Sequence, residues 1–372
     1  MSHFQVRGLE GCTSFMTCDV LDMEYFGRLA KRGAEAGINV LTLVMIPDAY
    51  YPETSSKKSW EFEMGLDWPC KRYPEHRNPR CPNADPDTEY LPQLVNLCHT
   101  LGIRVYLRTI NNKHKWLFPA KKHWRALRVK NDGSQSVVDA CCWDIAEFME
   151  YYYALLDDLL QRYATGPNAV DGLMLDQQKC FGAYINAESR EKFRDIMGHE
   201  MDLGNVQEIL DYWSIRNAER VRETVRFCKA INPDLDVGVT LEGQTPDHFD
   251  NGPTGMKHAL FNHETTGVDF VHHQIFNLSD EDCLYIWEAI TQDGPLWVQL
   301  DPTAADAGWG KGYWGWTPRT PETIRDDVQK VKRVQARLSS PENLLGVAEC
   351  PITTLPLDHP NLEAALRFVG EA

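Results

Sequence analysis

Three apolar runs in this chain each stop on a carboxylate: Val170-Asp171-Gly172-Leu173-Met174-Leu175-Asp176, Val237-Gly238-Val239-Thr240-Leu241-Glu242 and Leu296-Trp297-Val298-Gln299-Leu300-Asp301. Runs this apolar suit strands covered on both faces, as in a parallel sheet. In a closed parallel barrel the C-terminal end of every strand opens at one mouth, where ligands bind. An apolar strand that halts on an acid therefore aims that acid at a pocket.

Strand-like runs alternate with helical patterns along the whole chain, which predicts parallel α/β architecture and, by count, a (β/α)8 barrel. Phe4–Leu9 is the candidate first strand, with Ser14–Cys18 competing for the role. Val40–Ile46, Ile103–Ile110, Asp171–Asp176, the Glu242 run, Asp269–Phe276, Leu296–Leu300 and Leu345–Cys350 supply the rest. Helices are expected over Asp22–Ala36, Glu89–Leu101, Asp144–Tyr163, Glu188–Gly198, Asn205–Ile231, Ser279–Thr291, Pro321–Leu338 and Asn361–Val369, several closed by glycine. With 372 residues and no repeat or linker, the chain reads as one barrel domain with long βα loops. The largest excursion, residues 47–88, is rich in Pro, Lys and aromatics, and a loop of that length is usually functional.

A formal charge of −16 argues against nucleic-acid or anionic-membrane partners, both of which need clustered Lys and Arg. A neutral or cationic small molecule fits better. No apolar run reaches the ~20 residues that span a bilayer, and the start, Met1–Arg7, lacks a secretory apolar core, so a cytoplasmic location is expected. The eleven cysteines are scattered without a C-x-x-C pair, which favours reduced thiols; Cys70 and Cys81, in the long excursion, are the place to look for a bridge.

Cleaving a glycosidic bond needs two carboxyl groups across the anomeric carbon, one attacking or activating water and one protonating the leaving oxygen. Asp176 and Glu242 end neighbouring strands. Such strands lie ~4.8 Å apart, which suits the ~5–5.5 Å separation of retaining enzymes. Asp176 is the candidate nucleophile and Glu242 the candidate acid/base, since Glu reaches further and apolar surroundings raise its pKa. Either acid would equally serve to cap a helix or hold a backbone amide.

Asp301 competes for the second role, but it opens a loop carrying Trp309, Trp314 and Trp316 beside glycines, a pattern that makes stacking platforms for sugars or a lid packed for its own stability. Asp301 then bonds substrate hydroxyls. The third strand runs into Arg108, Asn111, His114 and Trp116, a polar density suited to hydroxyl or carboxylate recognition, or simply to a solvated loop. Gln178 follows Asp176 and is a further candidate contact. In Val271-His272-His273-Gln274, alternation puts His272 and Gln274 on one face and His273 on the other. Asp48, Tyr50 and Tyr51 are weaker candidates for a wall.

No G-x-S-x-G elbow, phosphate-cradling loop, G-x-G-x-x-G or H-E-x-x-H is present. No cofactor and no resident metal are expected. A metal-dependent sugar isomerase, epimerase or lyase, with Glu242, His272 and Glu349 around a divalent ion, is the alternative. A carbohydrate-binding barrel without turnover is a third reading.

The helix Tyr152–Tyr163 followed by D-G-x-x-x-D at Asp171–Asp176 resembles the fourth strand of glycoside hydrolase barrels: α-L-fucosidases, the α-amylase superfamily and the hypothetical glycosyl hydrolase-like families. Tyr212-Trp213-Ser214-Ile215-Arg216 through Asn232-Pro233 and Val237 is similar to the last group. Gly37–Leu41 and Leu101–Val105 match the second and third strand entries of such barrels. The resemblance implies an O-glycosyl hydrolase with Asp176 as nucleophile and Glu242 as acid/base; the expected cytoplasmic location, and not the resemblance, points to a small saccharide or glycoconjugate as substrate. Leu300-Asp301-Pro302 lacks the Asn-His that precedes the third amylase acid, so the substrate does not carry over.

Overall fold

Eight parallel strands close on themselves in this computed structural model, which describes residues 4–12, 21–46, 65–79, 81–110, 112, 114–176, 180, 182–241, 246–275, 278–300, 320–349 and 357–372. In chain order the strands are β1 (Val6–Cys12), β2 (Val40–Ile46), β3 (Arg104–Ile110), β4 (Arg125–Val129), β5 (Gln135–Cys141), β6 (Gly172–Asp176), β7 (Ala183–Tyr184), β8 (Asp236–Leu241), β9 (Phe270–Gln274), β10 (Leu296–Gln299) and β11 (Leu344–Glu349). The barrel runs β1-β2-β3-β6-β8-β9-β10-β11 and closes by pairing β11 with β1. It is the expected (β/α)8 barrel. The first strand runs past Leu9 to Cys12, so Glu10 lies within it; the competing segment Ser14–Cys18 is outside the described residues.

Amphipathic helices cover the strands. α1 (Met23–Ala36) starts at Asp22, whose carboxylate accepts from the Tyr25 amide, and stops at Gly37 with φ 94°. α2 (Leu91–Thr100), α3 (Ala146–Tyr163), α4 (Ala187–Met197) and α5 (Val206–Ile231) follow. The short helices α6 (Pro246–Asp250) and α7 (His263–Thr266) precede α8 (Asp280–Asp293), which opens with a capping box between Ser279 and Asp282. α9 (Pro321–Gln335) and α10 (Pro360–Gly370) complete the series.

Inside the barrel, side chains change character from bottom to top. The lower layer is apolar: Val6, Val40, Tyr106, Met174, Phe270 and Trp297 form one buried cluster. Phe270 and Trp297 stack at 4.1 Å, and Tyr106 meets Trp297 edge-on at 4.9 Å. Two glycines make room for these rings. A Cβ on Gly172 would lie 2.2 Å from Tyr106, and one on Gly238 would lie 2.3 Å from Phe270. Above this layer the interior turns polar.

Strand entries at the bottom are fixed by a repeated local device. Asn39, Asp171 and Asp269 each stand one residue before a strand, and each side chain accepts the amide of the preceding strand's second residue. The bonds run from Arg7 to Asn39 Oδ1 at 2.9 Å, from Val105 to Asp171 Oδ2 at 2.7 Å and from Val237 to Asp269 Oδ2 at 2.7 Å. The backbone amides of the same three residues return bonds to the Arg7, Val105 and Val237 carbonyls. His99 and Lys229 pair with Asp171 and Asp269. The first acid of D-G-x-x-x-D is thereby a register clamp, at the opposite end of β6 from Asp176.

A second sheet, ordered β5-β4-β7 and antiparallel, was not anticipated from sequence. Its hairpin turns at Asn131-Asp132-Gly133-Ser134, where Asp132 accepts the Ser134 amide and Gly133 takes φ +76°. This sheet is inserted after the C-terminal ends of β3 and β6, on the mouth side. In the excursion after β2, residues 65–79 pack on α3: Asp158 accepts from Trp68 Nε1 at 3.2 Å and from the Lys71 amide at 2.8 Å. Cys70 and Cys81 are both buried; Cys70 is a free thiol, so no bridge joins the two, and burial pushes the Cys70 thiol up to about 11. No described helix is long and apolar enough to cross a membrane.

Candidate active site

Alternation along β3 points Tyr106 and then Arg108 into the barrel, one in the apolar layer and the next in the polar layer. Arg108 anchors the polar layer. Its Nη1 donates to Glu10 Oε2 at 2.7 Å and to Gln299 Oε1 at 3.3 Å, while Nη2 meets Asp176 Oδ1 at 2.7 Å. The second oxygen of Glu10 lies 2.7 Å from His272 Nε2. His272 Nδ1 is 3.2 Å from the Thr240 hydroxyl, and Gln274 Nε2 donates to Gln299 Oε1 at 2.7 Å. One connected network thus joins groups from β1, β3, β6, β8, β9 and β10.

Every member of this network is buried: Asp176 is 1% exposed and Glu10 fully enclosed. Burial pushes the Glu10 carboxyl up, but His272 and Arg108 more than offset it and hold the group below the usual carboxylate range. Because a carboxylate only accepts, the proton between Glu10 and His272 lies on Nε2. Buried ion pairs are costly to desolvate and are weak stabilisers compared with well-packed hydrocarbon. The layer below shows that this barrel can be filled with rings, so filling space does not account for a charged layer at the mouth end.

His273 faces the other way, as alternation requires. Trp287 Nε1 donates to its Nδ1 at 3.0 Å, and burial, helped by His272, pushes its pKa down to about 3. Among the described residues, the ring contacts of His114 and Trp116 lie with each other and with α3. The His114 ring is packed 4.9 Å from Trp116 and 5.6 Å from Phe148, and Trp116 Nε1 donates to the Tyr151 hydroxyl at 3.4 Å. Both side chains thereby fasten the segment after β3 to α3. Asn111, Gln178, Glu242, Asp301, Trp309, Trp314 and Trp316, together with Asp48, Tyr50 and Tyr51, lie outside the described residues.

The structure therefore gathers Asp176, Arg108, His272 and Gln274 from among the candidates read in sequence. It adds three that were not nominated: Glu10, Thr240 and Gln299. A signal for Glu10 was available, since it shares parity with Val6 and Gly8 along the first strand. Gln299 shares parity with Trp297, two residues before it.

Of the metal alternative's ligands, Glu242 lies outside the described residues. Both His272 nitrogens are engaged, with Glu10 and Thr240. Glu349 is in register with Leu9, one step out of phase with the inward-facing Glu10. Among the described residues, no three His, Cys, Asp or Glu side chains are grouped to hold a metal.

No protein-family profile matches the sequence, and no curated protein matches it. Solved structures do share the fold. The glycoside hydrolase domain of PgaB (BpsB) from Bordetella bronchiseptica aligns over 98% of this chain and 98% of its own, with TM-score 0.65 and 13% identity. The catalytic domain of a β-amylase from Paenibacillus polymyxa aligns over 100% of both chains, with TM-score 0.60 and 9% identity. A GH20 exo-β-N-acetylglucosaminidase from Vibrio harveyi aligns over 99% of this chain and 54% of its own, with TM-score 0.58 and 12% identity. The chain is thus similar in fold to glycoside hydrolase TIM barrels.

Proposed function

We propose that this chain is a glycoside hydrolase acting on a small saccharide or glycoconjugate, with residues 1–372 as one catalytic barrel. The observation that carries the reading is Asp176: a carboxylate at the C-terminal end of a barrel strand, held by Arg108 at 2.7 Å within a buried polar layer. The shared fold with glycoside hydrolases adds support.

In the retaining mechanism, Asp176 attacks the anomeric carbon while Glu242 protonates the leaving oxygen. A glycosyl ester on Asp176 results. Glu242 then takes a proton from water, which attacks the same carbon and releases the sugar and the Asp176 carboxylate. Arg108 fixes the rotation of Asp176, so the attack needs little reorganisation. Glu242 is two residues beyond the inward-facing Thr240 and has the same parity in sequence. Trp309, Trp314 and Trp316 are proposed as stacking groups, with Asp301, Asn111 and Gln178 as polar contacts.

The test is a panel of aryl glycosides of both anomeric configurations, run with and without EDTA on wild type and Asp176→Ala. Release from one member, indifferent to EDTA and lost in the variant with folding intact, is the expected result. Wild-type turnover by Asp176→Ala would end the proposal, and activity abolished by EDTA and restored by a divalent ion would transfer it to the metal-dependent alternative.

A further inference from the structure

Two amides meet at the mouth end of β9 and β10. Gln274 and Gln299 are register partners on these adjacent strands, and Gln274 Nε2 donates to Gln299 Oε1 at 2.7 Å. Arg108 sets the orientation of both. A guanidinium only donates, and Arg108 Nη1 reaches Gln299 Oε1 at 3.3 Å, so Gln299 must present its oxygen there. Gln274 meets the same oxygen and must offer it an N–H, which leaves its own Oε1 on the other arm of the amide. That oxygen is buried, and among the described residues it has no donor.

Buried side-chain acceptors are nearly always paired, and one left without a donor is costly. Gln274 is 4% exposed and is the last residue of β9, at the end of the strand that opens into the mouth. We propose that Gln274 Oε1 is the specificity-determining acceptor for one hydroxyl of the sugar that Asp176 attacks, so the substrate carries a free hydroxyl at that ring position. The inference rests on the glycosidase reading above and assigns its substrate a chemical feature which that reading leaves open.

The acceptor and the reacting carboxylate belong to one connected layer. Asp176 Oδ1 meets Arg108 Nη2 at 2.7 Å, and Nη1 of the same guanidinium bonds the amide oxygen to which Gln274 donates. Turning the Gln274 amide over would set oxygen against oxygen at Gln299, so this position reads a donor and rejects an acceptor. A hydroxyl fits. A hydrogen, an ether oxygen or a carboxylate at that ring position brings no proton and leaves the Gln274 oxygen unpaired.

The probes are the aryl glycoside that wild type hydrolyses and its monodeoxy analogues, one for each sugar hydroxyl, with kcat/KM measured for all. In wild type one analogue is expected to fall about ten- to a hundred-fold below the parent. Gln274→Met, which lacks the amide, should shrink that parent-to-analogue ratio by about ten-fold and leave the other ratios unchanged. The intrinsic reactivity of a deoxy sugar is common to both proteins and cancels when the ratios are compared. A Gln274 that only props Gln299 would lower every substrate by the same factor, so unchanged ratios in the folded variant overturn the inference and leave the glycosidase reading standing. If Gln274→Met fails to fold, Gln274→Asn carries the comparison, since an oxygen drawn back by one methylene must still lower the same ratio. In wild type alone, equal kcat/KM for the parent and every analogue also overturns it. A wild-type chain that hydrolyses no member of the aryl glycoside panel overturns both readings.

Discussion

His273 gives the fold a defined sensitivity to acid. The ring is buried on the outer face of β9, accepts from Trp287 Nε1 at 3.0 Å, and has its pKa pushed from 6.5 to about 3 by burial and then by His272. In the unfolded chain the same imidazole takes a proton near pH 6.5. Between those values the unfolded state binds more protons than the folded one, so stability is complete above pH 6.5 and is lost as pH falls. Each unit below 6.5 removes about 1.4 kcal/mol, hence about 2 kcal/mol on moving from neutral pH to about pH 5. His273→Gln keeps an acceptor for Trp287 and cannot titrate. Urea unfolding of both chains at about pH 7.5 and about pH 5 isolates the term, because every other titrating group is common to the two. Wild type should lose about 2 kcal/mol more than the variant over that interval. Parallel losses in the two chains would show that the ring is not held neutral by this site.

Two further outcomes follow from packing and register. Gly172→Ala places a Cβ 2.2 Å from the Tyr106 ring and 2.7 Å from the Asp236 carbonyl, and should cost about 3 kcal/mol or more by thermal unfolding; adding Tyr106→Leu should restore part of that, whereas an unchanged melting temperature in the single variant would refute the account of the apolar layer. Asp171→Ala removes the acceptor for the Val105 amide and the partner of His99, and should cost about 1–3 kcal/mol with catalysis by the folded fraction unchanged; a selective loss of activity at full stability would contradict the clamp.

Much of the architecture could be read from the chain because each barrel strand is a short apolar run closed by turn chemistry. Gly37 ends α1 where its lack of a Cβ permits φ 94°, and Ser279 and Asp282 announce α8. The small sheet was harder to read. Gln135–Cys141 is largely exposed along its first half and breaks the apolar rule used elsewhere, although Asn131-Asp132-Gly133 marked the turn. Site residues divided the same way. Period-two alternation sends His272 and Gln274 inward and His273 outward. It does not say which strands lie side by side after closure. Glu10 meets Arg108 across 98 positions of sequence, and Gln299 meets it across 191, so their roles emerge only when the barrel closes. The same limit applies to Arg108, whose bonds to Glu10 and Asp176 reach strands far from it in sequence.

The three Asx clamps at the strand entries separate two burdens that many folds load onto the same residues. Register is set from below by Asn39, Asp171 and Asp269, each acting on the strand beside it through bonds of 2.7 to 2.9 Å. The connections at the mouth are therefore relieved of aligning the strands they join. The hairpin from Arg125 to Cys141 is such a connection: it adds two of the second sheet's three strands between β3 and α3 while the barrel pairing on either side of it stays in register. A scaffold of this kind lets selection rewrite specificity by exchanging or lengthening upper loops, with the staves of the barrel left in place.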